Sequence, residues 1–257
     1  MKRQKNIAAF AGLSVLVGLA AATAGYAALR LRQSARLAHK GHAFDRLAQA
    51  EGARLLVVGD STAKGTGAST PEYSLPGLLC RANPSLTVVN RGHDRARFED
   101  MLAQLEGDER FDAVLILCGA NDVLRMTRDA ALRDSIRRVA QRARVRSDLV
   151  VFMPPGNIGK APFFLPPWNW WMTYRSRRLH AIVSQEAQAN GALYVSLFRD
   201  RDGDPFARHP QRMNARDRLH PSDAGYQFWQ RELEAQVQLS AKLRKIGRSA
   251  AARGPAF

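Results

Sequence analysis

A serine, an aspartate and a histidine in two distant segments of the chain could act together as a catalytic set. Ser61 follows the apolar run 55–58, while Asp217 precedes His220 by three residues near the other end of the chain. A serine hydroxyl is a weak nucleophile, so it needs a base to take its proton and a third group to orient that base. We therefore predict Ser61 as nucleophile, His220 as general base and Asp217 as its orienting carboxylate.

Each of these segments also has an ordinary structural interpretation. A serine after a strand is common as a helix N-cap, and the Gly-x-Ser-x-Gly elbow of α/β-hydrolases is absent around Ser61. Asp217 and His220 could equally form a surface salt bridge, or Asp217 could cap the helix that follows. The set is more informative than any one of its members.

A third segment, Gly119-Ala120-Asn121-Asp122, follows the apolar run 114–118. The side-chain amide of Asn121 could donate a hydrogen bond to the oxyanion of a tetrahedral intermediate. The alternative is a strand-ending turn, in which both glycine and asparagine are favoured.

These segments must be positioned by elements that alternate along the chain. The predicted strands are 54–58, 86–90, 113–118, 149–153 and 192–197, and the predicted helices are 73–81, 98–105, 130–144, 174–190 and 222–238. Continuous apolar strands indicate a parallel sheet covered on both faces, and hence a three-layer α/β/α domain. In such sheets ligands bind beyond the carboxyl ends of the strands, where Ser61, Asn121 and His220 could converge.

At this point the chain resembles the SGNH hydrolase superfamily of GDSL-type lipases and esterases. Gly59-Asp60-Ser61 matches the first sequence block of that superfamily, Gly119-Ala120-Asn121-Asp122 the third, and Asp217-Arg218-Leu219-His220 the fifth. The resemblance spans roughly residues 54–235. It implies a flavodoxin-like sheet of five parallel strands and ester hydrolysis by the three residues named above. No metal or organic cofactor is implied.

The resemblance also implies an oxyanion hole made by the Ser61 backbone N–H, the Asn121 side chain and a glycine N–H from the second block. That glycine usually lies five residues after an asparagine such as Asn90, where this chain has Arg95. Gly92 is close by but out of register. The N–H of Arg95 could serve, although a positive φ at this position would strain an arginine.

Residues 154–172 are dense in proline and aromatic residues, and we predict a long loop there. Phe163, Phe164, Trp168 and Trp171 could line an acyl pocket or enter a membrane interface. The alternative is a loop that folds back onto the core.

The uncharged segment 7–29 is long enough to span a bilayer, and basic residues flank it on both sides. A cleaved signal peptide with a site at Ala22-Thr23-Ala24 is the alternative, but its apolar region would normally be shorter. We expect a retained single-pass anchor in a bacterial-type inner membrane. Because both flanks are basic, the side that the domain faces stays open.

The formal charge is +16, from 39 Lys and Arg against 23 Asp and Glu. The basic residues are scattered, and no nucleic-acid signature accompanies them, so we expect a membrane-proximal protein rather than a nucleic-acid partner. The two cysteines, Cys80 and Cys118, lack metal-binding spacing and are interpreted as core residues.

The predicted organisation is therefore a basic N-terminus (1–6), an anchor (7–29), a juxtamembrane linker or helix (30–53), a hydrolase domain (54–240) and a basic tail (241–257). The expected function is hydrolysis of an acyl or acetyl ester, carried by a small molecule, a lipid or a glycan. Deacetylation of an envelope polysaccharide is a close variant. The alternative is a catalytically weak domain that binds an envelope glycan, a lipid or a partner protein.

Overall fold

A five-stranded parallel sheet forms the centre of the structure, a computed structural model that describes residues 25–26, 29–30, 32–33, 42–47, 52–199 and 203–251. The strands are β1 (Arg54–Gly59), β2 (Thr87–Asn90), β3 (Ala113–Leu117), β4 (Val150–Phe152) and β5 (Leu193–Tyr194). All neighbouring strands pair in parallel. The predicted α/β class and five-stranded sheet are confirmed, with β5 shorter than expected.

Helices cover both faces of the sheet. Between and after the strands lie α1 (Ser61–Lys64), α2 (Leu75–Ala82), α3 (Met101–Gln104), α4 (Ala120–Leu124), α5 (Asp129–Arg146), α6 (Trp168–Ala189), α7 (Pro205–Arg208), α8 (Pro210–Met213), α9 (Asp223–Val237) and α10 (Leu239–Ala251). Alternate residues of β3 enter different cores: Val114 and Ile116 pack towards α5 and α6, whereas Leu115 and Leu117 pack towards α2 and α9. Burial of both faces explains why the strand is continuously apolar.

The order of the strands locates the crevice in which ligands bind. That order is β2-β1-β3-β4-β5, the arrangement of flavodoxin-like sheets. The connections from β1 and from β3 leave in opposite directions, so the carboxyl ends of these two strands flank a topological switch point. Ser61 follows β1 and Asn121 follows β3, which brings them to this crevice.

The predicted loop over 154–172 is wrong in its last five residues, 168–172, which are helical. A short 3₁₀ turn covers Ile158–Lys160, and α6 begins at Trp168, six residues earlier than expected. Pro166 and Pro167 stand before the first turn of this helix, where their missing N–H groups remove no helical hydrogen bond. Proline therefore marks the start of a helix here, where we expected a loop.

The C-terminal region contains one further helix. Most of the segment predicted as a basic tail forms α10, which packs on the core through Leu239 and Leu243. Asn83 adds a polar tie, because its amide donates to Ser240 Oγ at 2.9 Å and its carbonyl accepts from Arg244. Because Leu239 and Leu243 are four residues apart, they lie on the same face of this otherwise basic helix and contact the core together.

The predicted anchor over 7–29 lies outside the described residues except at positions 25, 26 and 29, and so do 1–6 and 252–257. In the part of the chain that is described, none of the helices combines the length and the apolar character needed to cross a membrane.

Candidate active site

A sharp turn at the end of β1 presents Ser61. Gly59 has a φ of 154°, and a Cβ on it would lie 2.0 Å from the carbonyl oxygen of Leu117. Only glycine fits there. Asp60 then caps α1, with its Oδ1 accepting from the backbone N–H and from the hydroxyl of Thr62 at 2.9 and 2.7 Å. Ser61 therefore opens a helix at the carboxyl edge of the sheet.

The structure brings the three predicted catalytic residues together. Ser61 Oγ lies 2.8 Å from His220 Nε2, and His220 Nδ1 lies 2.5 Å from Asp217 Oδ2. Ser61 and His220 are each 8% exposed, and Asp217 is fully buried. Because an ionised carboxylate only accepts hydrogen bonds, Nδ1 carries the proton and Nε2 is left to accept from the serine hydroxyl.

The loop that carries Asp217 and His220 is closed by its own hydrogen bonds. Ala215 N–H donates to the carbonyl of His220 at 2.8 Å. Asp217 Oδ1 accepts from the N–H groups of Leu219 and His220 at 3.0 and 3.1 Å. Arg218 takes a φ of 63° to complete the turn. Both side chains are thus fixed relative to each other before a substrate arrives.

Opposing effects act on the pKa of Asp217. Burial would raise it, but the hydrogen bonds and the charge of His220, together with the loop N–H groups, lower the pKa below its usual value. The carboxylate therefore stays ionised and can stabilise a positive charge on the His220 ring.

Three hydrogen-bond donors line the pocket in front of Ser61. Asn121 Nδ2 uses one hydrogen to donate to the carbonyl of Ala96 at 3.0 Å, and its second hydrogen has no acceptor in the described part of the chain. The backbone N–H groups of Ser61 and Arg95 make no hydrogen bond to any described residue. Because all three residues line one pocket, they can converge on a developing negative charge.

Arg95, rather than Gly92, occupies the second-block position of the candidate oxyanion hole. The N–H of Gly92 is already used, since it donates to Asn90 Oδ1 at 3.0 Å, and Gly92 does not line the pocket. Arg95 has a φ of 65°, so the left-handed conformation that we considered for it is present. An arginine in this conformation is strained relative to glycine, but its N–H is unaffected.

Two buried polar residues that sequence reasoning did not single out support this geometry. Gln104 holds both backbone groups of Gly59, because Oε1 accepts from the N–H at 2.7 Å and Nε2 donates to the carbonyl at 3.0 Å. Asp122 Oδ2 accepts from the N–H of Phe98 at 3.1 Å, and burial raises the pKa of Asp122 to about 6. The position of Asp122 next to Asn121 was the available signal, whereas nothing in the sequence marked Gln104.

The pocket that contains Ser61 has a volume of about 190 Å³. Side chains from both helices and loops give it a mostly apolar wall, formed by Leu124, Ile158, Ala161, Leu197, Phe206, Leu219 and Trp229. Polar groups at its other edges come from Asp204 and Asn214. Among the described residues, no group of three or more His, Cys, Asp or Glu side chains could hold a metal ion.

The four residues predicted to contact substrate lie elsewhere. Phe163 and Phe164 pack against each other with ring centroids 4.8 Å apart, and neither lines the pocket. Trp168 and Trp171 are exposed on the first turn of α6 and do not line it either. The structure therefore does not bring these aromatic side chains to Ser61.

Comparison with known proteins connects this site to a family. The model of the GDSL-like Lipase/Acylhydrolase family matches residues 57–228, which span β1 to α9 and include all three residues of the hydrogen-bonded set. None of the curated proteins compared with the chain shows a significant sequence match.

Solved structures share the fold at low sequence identity. Axe2, an acetylxylan esterase from Geobacillus stearothermophilus, is 24% identical, with a TM-score of 0.52 over 74% of this chain and 96% of its own. LAE5, an α/β hydrolase from the metagenome of Lake Arreo in Spain, is 22% identical, with a TM-score of 0.56 over 76% and 97%. A G-D-S-L lipolytic protein from Veillonella parvula is 12% identical, with a TM-score of 0.57 over 72% and 98%.

Proposed function

The chain belongs to the GDSL-like lipase/acylhydrolase family, and we propose that it is a serine hydrolase that cleaves short-chain carboxylic esters through an acyl-enzyme. Family membership supports an ester hydrolase in general. One observation carries the finer proposal: an unbroken hydrogen-bonded path from Ser61 Oγ through His220 to the buried Asp217.

In the proposed reaction, Ser61 Oγ forms a bond to the ester carbonyl carbon while its proton moves to His220 Nε2. Asp217 holds the ring through Nδ1 and stabilises the imidazolium that results. The C–O bond to the alcohol then breaks, and Nε2 returns the proton to the departing oxygen. In the second half, His220 Nε2 takes a proton from water while the water oxygen bonds to the acyl carbon. The bond from that carbon to Ser61 Oγ then breaks, Nε2 returns the proton to Oγ, and the carboxylic acid leaves.

The negative charge on the carbonyl oxygen would be met by the Ser61 N–H, the Arg95 N–H and the second hydrogen of Asn121 Nδ2. These three hydrogens have no acceptor among the residues that the structure describes, so no hydrogen bond to those residues has to break when the charge develops. Ser61 also lies at the first turn of α1, whose N-terminal end favours negative charge.

The size of the pocket supports a small acyl group. A closed cavity of about 150 Å³ holds one benzene molecule, and this pocket, which is open to solvent, encloses about 190 Å³. Acetyl to butyryl groups fit inside that volume, whereas an octanoyl chain would extend through the opening into solvent. The acetyl esters named for Axe2 lie within the same range, and so does deacetylation of an envelope glycan.

The test uses the full chain in detergent. A fluorophosphonate probe is followed by intact mass measurement, alongside hydrolysis of acetyl, butyryl and octanoyl p-nitrophenyl esters. We expect one label on the wild type and on Ser69→Ala, an exposed control serine, but none on Ser61→Ala. Turnover should fall steeply between butyryl and octanoyl.

Two results would contradict the proposal. Turnover that survives in Ser61→Ala would remove the serine mechanism. Absence of labelling in a folded wild-type protein would favour the catalytically weak binding domain instead, since Arg95 would then have disabled the oxyanion hole.

A further inference from the structure

A patch of aromatic side chains is exposed where α6 begins. We call Leu165, Trp168, Trp170, Trp171 and Tyr174 the aromatic patch. Its three tryptophans are 57%, 68% and 45% exposed, and the Trp171 and Tyr174 rings stack at 5.5 Å. Single apolar residues on a surface are normal, but five exposed large apolar side chains within ten residues of the chain indicate an interaction site.

The aromatic patch does not serve the catalytic pocket. None of its members lines that pocket, and none belongs to either buried core. The patch nevertheless continues from the pocket wall along the chain, because Ile158 and Ala161 line the pocket a few residues before Leu165. A surface that contacts the patch would therefore lie close to the entrance of the site.

The C-terminal end of the predicted anchor contacts the chain just before the aromatic patch. Tyr26, near the C-terminal end of the uncharged stretch 7–29, donates its hydroxyl hydrogen to the carbonyl of Pro162 at 2.9 Å. Arg30, the first charged residue after the stretch, places its guanidinium 5.0 Å from the Tyr26 ring centroid. The point where the apolar stretch ends is therefore in contact with the chain that leads into the aromatic patch.

Bilayers have a preferred depth for each of these residue types. Tryptophan and tyrosine concentrate at the interface, where the ring is in an apolar layer and its N–H or O–H reaches water. Tyr26 followed by Arg30 is the sequence expected where a spanning segment leaves the hydrocarbon. Because Pro162 is hydrogen-bonded to Tyr26, the aromatic patch would stand near the same depth.

We propose that the aromatic patch inserts into the interface of a lipid bilayer, on the side where segment 7–29 leaves it. The proposal rests on the predicted anchor, not on the esterase chemistry. Anchor and patch together would hold the domain against the membrane in one orientation, with the wall of the catalytic pocket near the lipid surface.

The tryptophans of this chain allow a direct test. The chain has four of them, three in the aromatic patch and Trp229, which is 3% exposed in the core. The full chain is reconstituted in phosphatidylcholine and phosphatidylglycerol vesicles, with ordinary or brominated acyl chains, and tryptophan emission is recorded. We expect bromine to quench about half or more of the wild-type emission, because interfacial rings lie within reach of it.

Two variants supply the controls. Trp168→Ser/Trp170→Ser/Trp171→Ser keeps the anchor and Trp229, so it should float with vesicles and show no quenching. Trp170→Ser alone changes the most exposed ring, so it should fold normally and lose part of the quenching. These results together would support the proposal, since the anchor itself contains no tryptophan.

Other outcomes would overturn it. The wild-type protein could float with the vesicles and yet show the same tryptophan emission with ordinary and with brominated acyl chains. The aromatic patch would then lie in water, or be covered by protein such as a second copy of the chain. Wild type that does not float lacks the membrane attachment on which the proposal depends. Quenching that persists in the triple variant would come from Trp229 and exclude the patch as its source.

Discussion

The set formed by Ser61, His220 and Asp217 and the set of candidate oxyanion donors are held in different ways. In the first set, consecutive residues bond one another at 2.8 and 2.5 Å, and all three side chains are buried. In the second, the Ser61 and Arg95 N–H groups have no partner among the described residues, and Asn121 uses only one of its two amide hydrogens.

The difference follows from what each set would do. Proton transfer takes place between atoms that are already in contact, so mutual hydrogen bonds can prepare it. Donors for an oxyanion must remain free until the charge develops. Hydrogen bonds of neighbouring groups, which do not use the donating hydrogens, must therefore hold the donors in place. Here that support is the Ala96 carbonyl, the bond from Phe98 to Asp122, and Gln104 on the Ser61 turn.

The largest effect should come from breaking the first set. His220→Ala removes the base, so kcat/KM for p-nitrophenyl acetate should fall about 10⁴- to 10⁶-fold, as in other triads that act as a unit. His209→Ala, at an exposed histidine, should leave activity unchanged. A decrease in His220→Ala of less than tenfold would mean that another group takes the proton.

A smaller loss is expected from the second set. Asn121→Ala should lower kcat about 10²- to 10³-fold with little change in KM, because the lost bond forms only in the transition state. Asn121→Asp keeps the shape of the side chain but cannot donate when ionised, so it should be equally impaired. An Asn121→Asp variant with normal kcat would exclude this residue from the oxyanion hole.

Asp122, whose bond to Phe98 is part of the support for the donors, should make the free energy of unfolding depend on pH. The folded pKa of Asp122, about 6, lies above the unfolded value of 3.8, so the folded state holds the proton more tightly between them. The contribution of Asp122 to the free energy of unfolding therefore increases as the pH falls. Relative to Asp122→Asn, the wild type should gain about 2 kcal/mol of unfolding free energy between pH 7.5 and 4.5.

Urea denaturation of both proteins at the two pH values measures this difference, and the comparison with Asp122→Asn removes the contributions of other titrating groups. An equal difference between wild type and variant at both pH values would show that Asp122 is ionised throughout. The bond to Phe98 would then hold a charged carboxylate.

The smallest effect concerns the strained backbone at Arg95. Arg95→Gly and Arg95→Ala both keep the N–H, so kcat should stay within a few-fold of wild type in each. Only glycine relieves the positive φ, and Arg95→Gly should be more stable than Arg95→Ala by about 1 kcal/mol. Thermal unfolding measures the difference, and equal stabilities would place the strain elsewhere.

Much of the fold followed from local patterns. Apolar runs located all five strands. In β1, β3 and β4 these runs are buried almost throughout, because a strand covered on both faces has to be apolar along its length. Helix boundaries were less accurate at α6, where Pro166 and Pro167 suggested a loop, and at α10, whose basic residues concealed Leu239 and Leu243. In both cases tertiary packing outweighed the local composition.

The residues of the candidate site also differ in whether the sequence alone identified them. The residue types and order of Ser61, Asp217 and His220 predict a serine hydrolase, and the resemblance to the SGNH superfamily, which Asn121 also supports, implies ester hydrolysis. Gln104 escaped detection because its role is a contact with Gly59, 45 positions away in the sequence. No local pattern encodes a contact of that kind.

The sequence by itself determined which side chains are present, which segments form strands, and where an uncharged stretch long enough for a membrane lies. Only the tertiary structure decided that Ser61 and His220, separated by 159 positions, meet at 2.8 Å, that Arg95 takes a positive φ, and that the tryptophans of α6 do not line the pocket. The reason is physical: side-chain chemistry and apolar periodicity are local properties, whereas strand order and crossovers depend on how distant faces bury one another.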